Sequence, residues 1–183
     1  SGVLAGGMTL DFDAERPVVG MVHLDALPGA PDFDGDRAAI RDAMLRDAQR
    51  LEAGGVDALM LENFGDAPFY ADDVPKHVVA SMAALARDLR RETSLPIGVN
   101  VLRNDAEAAI SVAAAAGAEF VRVNVHAAAR LTDQGVVTGQ AAETVRLRDR
   151  LDADVSILAD VDVKHSAPLA ERPLTEEVAE LVE

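Results

Sequence analysis

Val155–Ser166 reads VSILADVDVKHS and alternates with period two. Val155, Ile157, Ala159, Val161 and Val163 form one set; Ser156, Leu158, Asp160, Asp162 and Lys164 form the other. Alternation of this kind predicts a β-strand. The second face gathers two carboxylates and an amine toward its C-terminal end. A strand that buries one face and collects charge at its far end is expected where a barrel strand opens into an active site.

Working outward, four more strands are predicted: Pro17–Leu24 (PVVGMVHL), Ala58–Asn63 (ALMLEN), Pro96–Leu102 (PIGVNVL) and Phe120–His126 (FVRVNVH). In the last of these Val121, Val123 and Val125 alternate with Arg122, Asn124 and His126. Helices separate the strands. Asp36 can cap Arg37–Ala53, where Ile40, Met44, Ala48 and Leu51 recur at helical spacing. A second helix runs from about Val74 to Arg91. A short alanine-rich helix is capped by Asn104 or Asp105 and closed by Gly117. Gln140–Leu151 follows a loop at Ala127–Gly139, and a fifth helix begins at Leu174. Helix ends at Ala53-Gly54-Gly55-Val56-Asp57 and Ala116-Gly117-Ala118-Glu119 repeat the same entry into a strand. Five βα units with parallel strands result.

Strand starts near 18, 58, 96, 120 and 155 set a repeat of about 34 residues, close to that of a (β/α)8 barrel. The expected fold is therefore α/β, a (β/α)8 TIM barrel of which about five βα units are present. Residues 17–183 form one barrel domain lacking three C-terminal units, and residues 1–16 form a flexible leader. Ser1–Gly7 has no charged n-region and does not read as a secretory signal. The competing architecture is an open doubly wound sheet, but no glycine-rich phosphate fingerprint follows the first strand.

Composition narrows the function. The chain has 17 Lys+Arg against 32 Asp+Glu, a net charge of −15. That disfavours a nucleic-acid surface and docking on an anionic membrane. A halophilic cytoplasm, or a GC-rich genome with arginine in place of lysine, each accounts for so acidic and lysine-poor a chain. The absence of cysteine removes disulfides and thiolate chemistry, in keeping with a cytoplasmic location. No apolar run approaches the roughly 18 residues of a membrane span. Asp32–Asp36 resembles a calcium loop but lacks its spacing and final glutamate, so it reads as a solvated turn.

The C-terminal ends of the strands are polar throughout: His23; Glu62 and Asn63; Asn100; Arg122, Asn124 and His126; Asp160, Asp162 and Lys164, with His165 just beyond. Each has a structural alternative. Asparagines bond loop backbone, His23 can be a satisfied core histidine, Glu62 can cap a loop, and Lys164 can pair with Asp160 or Asp162. Five strands turning polar at the same end is harder to explain so, because parallel α/β folds bind ligands there. Phe64, Phe69 and Tyr70 either line that mouth or pack their loop.

The segments VVGMVHLDALPGAP at Val18–Pro31, DALMLENFGDAPFY at Asp57–Tyr70, PIGVNVLRND at Pro96–Asp105, FVRVNVH at Phe120–His126 and LADVDVKHS at Leu158–Ser166 resemble the BtpA/SgcQ family. The resemblance implies a ribulose-phosphate-binding type of TIM barrel. One branch of that family is linked to photosystem I biogenesis, which implies a location peripheral to a membrane; another sits with sugar-metabolism genes.

Two functions are expected. The first is an enzyme, a lyase, isomerase or hydrolase, acting on a small polar substrate such as a phosphosugar or nucleoside. Asp160 or Asp162 is then a base, Lys164 stabilises an anion, and His23 and His126 shuttle protons. Glu62, Asn63, Asn100, Arg122, Asn124 and His165 position the substrate. A divalent metal held by Glu62 and Asp160 with a histidine is compatible with these donors. The second is a non-catalytic assembly factor. A homo-oligomer fits either reading.

Overall fold

The computed structural model describes residues 10, 12 and 14–182. The order is β1 (Val19–His23), α1 (Arg37–Ala53), β2 (Ala58–Glu62), α2 (Lys76–Glu92), β3 (Ile97–Asn100), α3 (Ala106–Ala116), β4 (Phe120–Val123), β5 (Ala129–Thr132), β6 (Gly135–Thr138), α4 (Ala141–Arg150), β7 (Ser156–Ala159), β8 (Ala167–Pro168) and α5 (Leu174–Val182). A short 3-10 turn at Phe64–Asp66 follows β2.

Local chemistry accounts for the helices. The Asp36 carboxylate accepts from the Ala39 N–H at 3.0 Å and starts α1, which buries Ile40, Met44 and Ala48 along one stripe. Asp105 caps α3 through the Ala108 N–H at 2.8 Å, and its other oxygen accepts from the Val74 N–H at 2.9 Å. The cap thus also ties down the chain entering α2. Alanines let α3 lie close against α2 and the sheet, and Gly117, at φ 76°, closes it in the left-handed conformation.

β1, β2, β3, β4 and β7 pair in that order, all parallel. Val22, Leu59, Leu61, Val99, Val121 and Val123 share one buried cluster with residues of α1, α2, α3 and α4. Those helices therefore lie on one face. A doubly wound sheet reverses strand order and carries helices on both faces; sequential pairing with one-sided helices is the winding of a barrel. The opposite, inner face carries Ala58, Met60 and Phe120, with Val19 and Met21 packed beside them. Leu10 and Phe12 join this cluster, Phe12 meeting Phe120 edge-on at 6.5 Å. Most of the expected leader lies outside the described residues.

Two expectations change. Val155–Ser166 is not one long strand: β7 spans four residues, and Asp160 adds the last ladder bond, its N–H donating to the Val123 carbonyl at 3.0 Å. Among the described residues β4 is the one strand paired with β7, and β4 itself stops short. The Asn104 side chain takes both backbone groups of Val125, accepting from its N–H at 2.7 Å and donating to its carbonyl at 2.9 Å. β3 ends early because Asn63 does the same to Leu102, at 2.7 and 3.4 Å. Asp162 and Lys164 therefore belong to a loop that turns at His165, whose φ is 61°.

The expected loop Ala127–Gly139 is instead mostly a β-hairpin of β5 and β6, with β8 added beside β5. Alternation in ARLT and GVVT about Asp133-Gln134 was the available signal.

Gly98 in β3 lies directly beneath the Phe120 ring, and any Cβ there would run into it. Gly98→Ala is expected to lower stability by about 1–3 kcal/mol through overpacking. The double variant with Phe120→Leu should recover part of that loss, a non-additivity that urea unfolding measures.

Candidate functional site

Period-two geometry puts Glu62, Asn100 and Arg122 on the inner face, above the apolar layer. Ladder pairing sets them at nearly one depth, with His23 opposite Glu62 and Glu62 opposite Asn100. Glu62 is 5% exposed. Its Oε2 accepts from the Asn100 amide at 2.6 Å, and Arg122 Nη1 lies 3.8 Å from the same oxygen. His23 Nε2 stands 3.5 Å from Oε1. The imidazole remains half-exposed and stacks on Phe64, ring centroids 4.4 Å apart.

Arg122 binds Asp160 with two parallel bonds, Nε to Oδ1 at 2.9 Å and Nη2 to Oδ2 at 2.8 Å. This fork geometry is the strong form of an ion pair. Hydrogen bonding to Asp160 raises the arginine pKa further, against the opposing effect of burial. Asn124 donates to Asp160 Oδ2 at 2.9 Å. A continuous polar chain thus runs from His23 through Glu62, Arg122 and Asp160 to Asn124, with Asn100 on its flank.

Other candidates lie elsewhere. Asn63 is committed to Leu102 and to Asp66, which it reaches at 3.2 Å. Asp162 is exposed and pairs with buried Arg130 at 2.7 Å, while Arg130 Nε donates to Ser166 Oγ at 2.6 Å. Lys164 and His165 are exposed, and the Lys164 carbonyl accepts from Arg103 at 2.8 Å. Lys164 pairs with neither Asp160 nor Asp162: those carboxylates go to Arg122 and Arg130. Sequence reasoning missed Arg130 because its role depends on the hairpin. Of the two expected caps of α3, Asn104 or Asp105, Asp105 is the cap, and Asn104 is a clamp on the next loop.

His126 follows β4 with Nδ1 buried and unpartnered. Burial pushes its pKa down, since charging the ring costs solvation. Among the described residues no group of three or more His, Asp or Glu side chains is arranged to hold a metal. The guanidinium of Arg122 stands between Glu62 and Asp160, the two carboxylates compatible with a shared metal.

These features define an α/β protein of parallel strands with a polar constellation at their C-terminal ends. The chain belongs to the BtpA family, whose pattern matches residues 14–183. An uncharacterized protein of Thermococcus kodakarensis is 51% identical over 86% of this chain and 59% of its own length. The photosystem I biogenesis protein BtpA of Synechocystis is 43% identical over 94% of this chain and 60% of its own. A mitochondrial protein of Caenorhabditis elegans is 31% identical over 85% of this chain and 59% of its own. The chain thus spans about three-fifths of the length of these relatives. Among solved structures, 7,8-dihydropteroate synthase from Vibrio fischeri ES114 matches with a TM-score of 0.57 at 14% identity, over 82% of this chain and 47% of that one. That likeness is one of fold, TIM-barrel-like in kind.

Two outcomes are expected. Arg122→Met leaves two carboxylates uncompensated; since Arg122 is one-third exposed, solvent screening reduces the loss to about 1–3 kcal/mol, measured by urea unfolding. For His126, the unfolded chain takes up its proton first. Its contribution to stability is complete above about pH 6.5 and declines as pH falls from there toward the lower folded value. His126→Leu should flatten that part of the pH–stability curve.

Proposed function

We propose that this polar constellation is the active site of an enzyme acting on a small polar substrate, built in the mouth of an eight-stranded barrel. The classes that fit are lyase, isomerase and hydrolase, and the substrate is a phosphosugar or a nucleoside-like molecule. One observation carries the reading: strands β1 to β4 and the exit of β7 all deliver polar side chains to one connected network around buried Glu62.

The geometry separates the roles of the two carboxylates. Asp160 accepts from Arg122 twice and from Asn124 once. Those three donors occupy both of its oxygens. Its work is to hold Arg122 in place. Glu62 receives one strong hydrogen bond, and its Oε1 faces His23. A buried carboxylate next to a half-exposed imidazole is a route for a proton between solvent and substrate. Glu62 is therefore the general base or acid, and His23 its relay. Asn100 orients Glu62. Asp162, Lys164 and His165 belong to the loop that follows β7.

A second reading has two observations in its favour. A relative is named for photosystem I biogenesis, and Leu131, Val136, Leu169 and Leu174 are exposed around the hairpin and α5. Such residues suit a protein partner. No described helix is long and apolar enough to cross a membrane.

Thermal-shift screening of sugar phosphates and nucleosides against the full-length protein tests the first reading, because a ligand bound only by the folded state raises Tm. At least one compound should raise Tm in the unsubstituted protein and fail to do so in Glu62→Gln, which keeps the Asn100 contact and the fold. A cellular function that survives Glu62→Gln but is lost with Leu131→Asp and Val136→Asp would transfer the case to the assembly factor.

A further inference from the structure

Resting on the reading of this mouth as an active site in which His23 relays protons to Glu62, we infer that Phe64 is the positioning residue of that relay: its ring fixes the plane of the His23 imidazole so that Nε2 stays turned to Glu62.

His23 is weakly restrained by its other neighbours. It ends β1, its side chain is 45% exposed, and among the described residues β1 has a strand on one side only. Nε2 stands 3.5 Å from Glu62 Oε1. That is longer than the roughly 2.7–3.2 Å of an ordinary N–H···O bond, so the contact alone does not hold the ring. Phe64 supplies the second restraint. The two rings are 4.4 Å apart between centroids and 13° from parallel. A face-to-face stack leaves the imidazole two settings, related by a half-turn about the Cβ–Cγ bond. The Glu62 carboxylate, which accepts only, selects the one that turns an N–H toward it. The stack sets the plane and Glu62 sets the edge.

The turn that carries Phe64 is fixed on both sides of it. The Gly65 N–H donates to the Leu24 carbonyl at 2.9 Å, and a Cβ at Gly65 would run into the backbone of Leu24, Asp25 and Ala26. Glycine alone permits that approach. Asp66 Oδ1 accepts from the Leu27 N–H at 2.8 Å and Oδ2 from Asn63 at 3.2 Å. The loops after β1 and β2 are thus locked together around a residue that is itself 53% exposed and joins no buried apolar cluster among the described residues. Core packing does not account for that placement, since the apolar gain scales with the area removed from water. What the ring meets is His23, and the two line an open cavity of about 530 Å³. A proton relay works from an imidazole already oriented, because a group in the wrong setting must first be turned.

The test is made on the full-length protein without ligand, so it does not depend on the substrate. Three-bond couplings and nuclear Overhauser contacts give the χ1 and χ2 populations of His23 in three proteins: unsubstituted; Phe64→Leu, which keeps apolar bulk and removes the ring face; and Phe64→Tyr, which keeps the face. Phe64→Met is read in place of Phe64→Leu should the latter unfold. The expected result is one dominant His23 orientation in the unsubstituted protein, with its ring protons close to the Glu62 side chain. Phe64→Leu should raise the other orientations by about two- to tenfold, the change that loss of an aromatic pair implies. Phe64→Tyr should restore the single orientation, which a role in stability alone would not require. Several His23 orientations in the unsubstituted protein, or one unchanged orientation in Phe64→Leu, overturns the positioning role and leaves the small-molecule site standing. The site itself falls with the ligand screen, on which the His23 couplings do not depend.

Discussion

The Arg122 guanidinium between Glu62 and Asp160 is the interaction on which the arrangement of the strand ends depends. A charge on the inner face of a sheet is stable only if paired and hydrogen-bonded. Arg122 meets that condition by joining β4 to the exit of β7 through a two-bond fork and to β2 through a longer contact of 3.8 Å. Two carboxylates facing the same mouth would otherwise repel and draw water inward. The same pairing removes the charge of Arg122 from ligand binding and leaves acceptors in excess.

Around that pair, the loops are held by side chains imitating backbone. Asn63 satisfies both polar groups of Leu102, and Asn104 both of Val125. Asp66 accepts from the Leu27 N–H at 2.8 Å, and Asp105 from that of Val74. Each clamp ties one βα loop to a neighbouring one. A strand terminated by a side chain, rather than by fraying, holds its last residues in defined positions. Asn124 lies one residue before the clamped Val125 and His126 one after it, so both are presented from backbone with little freedom. Burial of Asp105 raises its pKa against the two N–H bonds that lower it, the signature of a carboxylate placed for structure and taken out of water.

Period-two alternation showed which side chains face the helices and which face inward, and it did so correctly for Phe120–Val123, because parallel strands under helices keep the pleat. The helix starts at Arg37 and Ala106 were equally legible from Asp36 and Asp105, whose capping chemistry is local. What the alternation of VSILADVDVKHS could not show is where pairing stops. That depends on whether the adjacent strand still offers free N–H and carbonyl groups, and Asn104, some fifty residues upstream, had taken them. Asp160 remained at the site because it carries the last ladder bond. Asp162 and Lys164 left it because they follow that bond. Arg122 was legible as an inward side chain but not as the centre of the network, since its partners lie 38 residues ahead and 60 behind.

The inner face also explains how a polar mouth can coexist with a stable sheet. Apolar residues Met21, Met60 and Phe120 lie one pleat below His23, Glu62 and Arg122. Phe120 fills the space that Gly98 leaves empty, so the floor of the mouth is a ring face without hydrogen-bonding capacity. Charges standing on such a floor have no downward partners. They must satisfy each other laterally or turn up toward a ligand. Glu62, Asn100, Arg122 and Asp160 do the first, each paired with another member of the set.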